Sequence, residues 1–103
     1  MVKQVDIKEF DGLIKGDKKV VCDFFATWCG PCKMLAPVME QVSESFTDAV
    51  FVKVDIDENA ELAVRYGIMS IPLVAVFEKG EIKAKSLGYM SGSEAETFLK
   101  ENL

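Results

Sequence analysis

The amino-acid sequence predicts an α/β domain: a central mixed sheet of five strands flanked by four helices. Three observations carry this. Strand-like and helix-like hydrophobic patterns alternate along the first two thirds, which implies parallel strand pairs joined by helical crossovers. Two strand-like runs then meet across Lys79-Gly80, which adds an antiparallel hairpin. Finally, 103 residues without a repeat, a low-complexity tract or a Pro/Gly/Ser-rich linker fit one domain spanning 1–103.

Each element has its own signal. "VKQVD" alternates apolar and polar and reads as a short strand. Asp6 with Glu9 three positions on resembles a capping box, and Ile7, Phe10, Leu13 and Ile14 share one face of the helix that Gly16 stops. "VVCDFFA", residues 20–26, is apolar on both faces apart from Asp23, which suits an interior strand covered on each side. Met34, Leu35, Val38, Met39, Val42 and Phe46 then recur at helical spacing. Pro37 falls inside that helix, where a missing N–H is expected to bend it.

"VFVKVD", residues 50–55, is the third strand. The helix in "NAELAVRYG" turns Leu62, Ala63 and Tyr66 inward and stops at Gly67. "PLVAVFE" and "EIKAKSL" form the hairpin. A last helix follows Ser91 or Ser93. Ser93 with Glu96 fits a second capping box, and Ala95, Phe98 and Leu99 make its buried side.

Composition removes several classes of function. The formal net charge of −5 argues against a general nucleic-acid or anionic-membrane binder, since both reward a basic face. The first ten residues carry four charges and no long apolar run, and the longest apolar stretch, "LVAVF", is far short of a membrane span. No leader and no membrane segment are expected, and the expected location is the cytoplasm. Small size and an acidic balance suggest a monomer.

The chemistry concentrates in "ATWCGPCKM", residues 26–34. Cys29 and Cys32 pair by spacing, and Cys22 is left over. Structural zinc asks for four Cys or His ligands, and this chain has no His and one spare Cys. A permanent staple across a four-residue loop constrains the unfolded chain very little. The reading that remains is a reversible redox pair. The cysteines fall where a strand ends and a helix starts, so unpaired N–H groups and the helix dipole favour an anionic, accessible Cys29 sulfur. Cys32 lies one turn on, and Pro31 fits the first helical turn, where its missing N–H costs nothing. Asp23 is the sharpest anomaly. A carboxylate inside an apolar strand is either an exposed edge residue or a buried group held for a purpose.

"WCGPC" after an apolar strand, within "DFFATWCGPCKMLAP", followed by "KVDIDENAELAVRYGI", "SIP" and "FEKG", resembles the thioredoxin family across residues 2–103. The resemblance implies the thioredoxin fold and a thiol-disulfide oxidoreductase that reduces protein disulfides. It implies that Asp23 takes the proton of Cys32 through water and that the Lys53 amine lies near Asp23 and tunes it. Without it, Lys53 reads equally well as a solvent-facing strand residue. It also implies a cis Pro72 packed against the dithiol, with the Ile71 backbone offering hydrogen bonds to an extended substrate. Trp28, otherwise readable as a core aromatic, would join Gly30, Pro31, Ile71, Pro72 and Gly88 in a flat contact surface for many protein substrates. Cys22 is expected to be an inert buried residue.

The chain also departs from the family pattern. Phe25 stands where a tryptophan is common, Met69 removes a frequent positive charge, and Leu73 is expected to make the substrate groove more apolar. These changes bear on partner preference. No nicotinamide or flavin motif is present, so the dithiol is the only redox group expected, and a separate thioredoxin reductase is implied for its reset. Three other readings stay open: a binding subunit that uses the same surface with redox chemistry incidental, a metal-handling protein, and a reductant dedicated to one pathway.

Overall fold

A computed structural model describes all residues, 1–103. Its elements follow the expected order: β1 (Lys3–Gln4), α1 (Ile7–Ile14), β2 (Val20–Phe25), α2 (Gly30–Ser43), β3 (Val50–Asp55), α3 (Ala60–Arg65), β4 (Leu73–Glu78), β5 (Glu81–Leu87) and α4 (Gly92–Asn102). The strands form one sheet in the order β1-β3-β2-β4-β5. β1, β3 and β2 run parallel, and β4 and β5 are antiparallel to their neighbours. The turn between β4 and β5 places Lys79 at φ 53° and Gly80 at φ 84°. Two successive positive φ values match the twist of a tight hairpin, and glycine accepts one at no steric cost.

β2 is the central strand, and its doubly apolar sequence follows from that position. Alternate residues serve opposite faces. Val20, Cys22 and Phe24 join Phe10, Ile14, Leu62 and Phe77 under α1 and α3. Val21 joins Leu35, Met39, Val42, Ala95 and Leu99 under α2 and α4. Phe10 stacks edge-on against Phe24, Tyr66 and Phe77, with ring centroids 5.2–6.1 Å apart. Asp23 lies next along the α2 face and is buried with the rest of the strand.

Four expectations are corrected in detail. Asp6 does cap α1, accepting the Glu9 N–H at 2.9 Å, but the Glu9 carboxylate turns to Lys3 at 3.1 Å, so only half of the box forms. Met34 is 60% exposed despite its helical spacing, because α2 buries the stripe through Leu35, Met39 and Val42. Leu73 belongs to the core beneath α1 and α3, paired with Leu87 across β4 and β5, so it does not line a groove. The fourth concerns α4. Its box is Ser91–Glu94: Ser91 Oγ accepts the Glu94 N–H at 3.2 Å, and Glu94 Oε1 accepts the Ser91 N–H at 2.9 Å. This start places buried Met90 just before the cap and buried Ala95 at the fourth helical position, an apolar pair that a cap at Ser93 would forfeit.

The cap is testable. Ser91→Ala should cost about 1 kcal/mol and lower the thermal midpoint by about 4–8 °C. Ser93→Ala should leave the midpoint nearly unchanged. Equal losses in calorimetry would contradict the assigned cap.

Candidate redox site

The site is built where β2 hands over to α2. The chain leaves the sheet at Phe25, turns through Ala26–Cys29 with the Cys29 N–H on the Ala26 carbonyl at 3.2 Å, and enters the helix at Gly30. Cys29 is the N-cap, with extended backbone (φ −88°, ψ 111°). The Cys32 N–H, one of the unpaired donors of the first turn, points at Cys29 Sγ at 3.2 Å. Pro31 occupies the first turn, where an N–H would have no helical partner. Cys29 and Cys32 are joined as a disulfide, with Cα atoms 5.3 Å apart. The extended cap residue places Sγ of Cys29 back over the helix start, so sequence spacing becomes sulfur proximity.

Both cysteines are nearly covered: Cys29 is 5% exposed and Cys32 3%. The sequence predicts an accessible Cys29 sulfur. In the disulfide form it packs with Ala26 and Cys32 against Phe25, Ile56 and Ile71. Access is at the rim, where Trp28, Gly30 and Pro31 are exposed. Trp28 is 69% exposed and is therefore no core aromatic. Its Nε1 donates to Asp57 Oδ2 at 2.8 Å, which anchors the indole at the edge of the site. Asp57 escaped the sequence reading; one acid among several in "VDIDEN" carries no spacing signal.

A second loop closes the site from the β4 side. The Ile71–Pro72 peptide is cis, and the Ile71 carbonyl oxygen lies 4.0 Å from Cys29 Sγ. Pro72 is buried. Its carbonyl accepts the Gly88 N–H at 2.8 Å, which brings the end of β5 alongside. Gly88 has φ +95°, and a Cβ there would meet nothing within 4 Å. The backbone conformation, more than crowding, requires glycine at this position. Met69, two residues before Ile71, is 95% exposed.

Beneath the disulfide, Asp23 is 3% exposed, and its Oδ1 has no hydrogen-bond partner. Burial pushes its carboxyl up to about 6 from the ordinary 3.8, and the Lys53 charge pulls it partly back. Lys53 stands opposite Asp23 in the β2–β3 register. Asp23, Phe25, Cys32, Lys33 and Lys53 line a cleft of about 220 Å³, so the carboxylate and the second sulfur open onto one space large enough for water. Cys22 is fully buried in the opposite core, and its thiol is pushed up by burial first and by Asp23 second, which leaves it unreactive. Another cleft, of about 570 Å³, lies by the starts of β2 and β3, among Lys19, Phe46, Ala49 and Leu99, and holds none of these groups.

A dithiol closed into a disulfide at a helix N-terminus, beside a cis proline and above a buried carboxyl, defines a thiol-disulfide exchange centre on a mixed α/β sheet. The comparisons agree. The thioredoxin family model matches residues 1–101. Thioredoxin-1 of Schizosaccharomyces pombe is 44% identical over 104 residues, covering 100% of both chains, and the thioredoxin of Mycoplasmoides gallisepticum is 45% identical over 92 residues, covering 89% of this chain and 92% of its own. The structure of Plasmodium falciparum thioredoxin superposes with a TM-score of 0.92 at 38% identity, covering 99% of this chain and 100% of that one. The chain belongs to the thioredoxin family. It has the thioredoxin fold and is a thiol-disulfide oxidoreductase, a protein-disulfide reductase whose redox group is the Cys29–Cys32 pair.

Proposed function

We propose that Cys29 is the attacking sulfur and Cys32 the resolving one in a two-step reduction of protein disulfides. The Cys29 thiolate attacks one sulfur of the substrate disulfide, forming a mixed disulfide and expelling the other substrate sulfur as a thiolate. Cys32, as thiolate, then attacks Cys29 Sγ, releases the second substrate thiolate and closes the Cys29–Cys32 disulfide. Two electrons pass from the dithiol to the substrate, and two protons follow. The observation that carries the assignment is the Cys32 N–H aimed at Cys29 Sγ from the first turn of α2 at 3.2 Å, a donor that favours negative charge on sulfur 29 and no other.

Asp23 accepts the Cys32 proton across the cleft they share, and Lys53 sets how readily it does so. An unpaired buried carboxyl pushed to about 6 is charged at neutral pH and still basic enough to take a proton. Trp28, Gly30, Pro31, Ile71, Pro72 and Gly88 form the face on which an extended substrate segment docks, recognised by backbone and general apolarity. The protein works as a single-domain monomer in the cytoplasm, carries electrons without a separate cofactor, and is reset by a thioredoxin reductase.

Cys32→Ser tests the division of labour. Incubated with a disulfide-bonded protein, this variant should accumulate one covalent adduct through Cys29, visible by non-reducing electrophoresis and mass spectrometry and released by dithiothreitol. Multiple turnovers with no trapped adduct would rule out the two-step scheme.

A further inference from the structure

The β2–β3 register sets Asp23 opposite Lys53 and Phe25 opposite Asp55. Asp23 and Phe25 are two apart on one strand, so they share the sheet face that α2 covers. The Lys53 ammonium lies over the Phe25 ring, 5.5 Å from its centroid. None of the ion pairs within 4.0 Å includes Lys53, so no carboxylate holds it. A half-buried lysine with no anionic partner gains most by swinging its head into water. Here it stays over an aromatic face, whose quadrupole attracts a cation, at the wall of the cleft that Asp23 and Cys32 also line.

We infer that Phe25 is a positioning residue: its ring holds the Lys53 ammonium at the cleft wall, where the cation's field reaches Asp23 without an ion pair immobilising the carboxylate. This deepens the reading of Asp23 given above and rests on it. The other groups around Asp23 leave Lys53 a distinct part. Cys22 adjoins it on β2, Cys32 and Lys33 reach the cleft from α2, and β4 offers only Val74 opposite. Lys53 is the one cation whose charge lowers the proton affinity that burial raises.

The test is a carbon-13 NMR titration of the Asp23 carboxyl in the oxidised protein. Phe25→Leu should raise the Asp23 midpoint by about half a pH unit, and Lys53→Met by at least as much. Phe25→Tyr, which keeps the ring, should hold the wild-type midpoint. The double variant should go no further than Lys53→Met alone, because the ring acts only through the amine. A wild-type midpoint in Phe25→Leu beside a raised one in Lys53→Met would overturn the inference, and so would shifts that add. The pH profile of single-turnover resolution by Cys32 separates this inference from the reading beneath it. If the NMR midpoints move and the rate profile does not follow, the positioning role stands and Asp23 as proton acceptor falls.

Discussion

Cys29→Ser is expected to bring the reduction of protein disulfides down to the uncatalysed rate, a loss of about a thousandfold or more. A hydroxyl at this position is almost wholly protonated at neutral pH and does not displace a thiolate from a disulfide. Cys32 cannot substitute for it. Both residues are nearly covered, but Cys32 lines the inner cleft with Asp23 and Lys53, whereas Cys29 lies outside that cleft, next to exposed Trp28 and beside the Ile71 carbonyl. The two single variants should therefore differ in kind, one leaving no adduct and the other a trapped one. Cys22→Ala should keep the wild-type rate, since the third thiol is fully buried in the opposite core. Insulin reduction followed by turbidity reads all three. Substantial turnover by Cys29→Ser would remove the nucleophile from this account.

Asp23→Asn is expected to stabilise the oxidised protein at pH 7.5 by about 3 kcal/mol. The folded carboxyl holds its proton up to about pH 6, while the unfolded one releases it near the ordinary 3.8. Between those values the folded state binds the extra proton, so stability falls as pH rises through the window. The neutral carboxyl's contribution is intact below it and lost above it, where the folded protein carries a buried, poorly hydrated charge. A shift of about two units at about 1.36 kcal/mol per unit sets the magnitude. Asparagine has no such equilibrium. Urea unfolding should therefore show the variant well above the wild type at pH 7.5 and level with it near pH 4. A gap of equal size at both pH values would mean that ionisation of Asp23 is not what the fold opposes. The same substitution should slow resolution by Cys32, so stability and rate move in opposite directions, as expected of a group retained for chemistry.

Much of this was legible along the chain. The five strands and four helices appear in the expected order because each carries its own period, and one register places both faces of β2 in cores. Cys29 and Cys32 were legible because their chemistry is local: one helical turn separates them, and the turn itself supplies the N–H. Asp23 was legible as a contradiction, a carboxylate in a strand that is otherwise apolar. The misreadings have a common cause. Ser93 and Ser91 both head plausible capping boxes, and only the placement of Met90 and Ala95 under the sheet selects Ser91. Leu73 and Met69 flank one loop, yet β4 carries the first into the core with Phe24, Leu62 and Phe77 while the second stays in solvent. The partnership of Trp28 with Asp57 spans 29 positions and leaves no periodic trace.

By itself the sequence determined the α/β class, the element order and the exchange chemistry, because hydrophobic period and a four-residue motif are short-range properties. Only the tertiary structure decided how the site is assembled around that motif. The β2–β3 register sets Lys53 against Asp23, and burial sets the carboxyl near 6. The Ile71–Pro72 loop reaches Cys29 across 42 positions. The covering of both sulfurs is likewise a result of packing. Electrostatics and solvent access depend on which distant segments meet and how much water they exclude, and no local pattern encodes either.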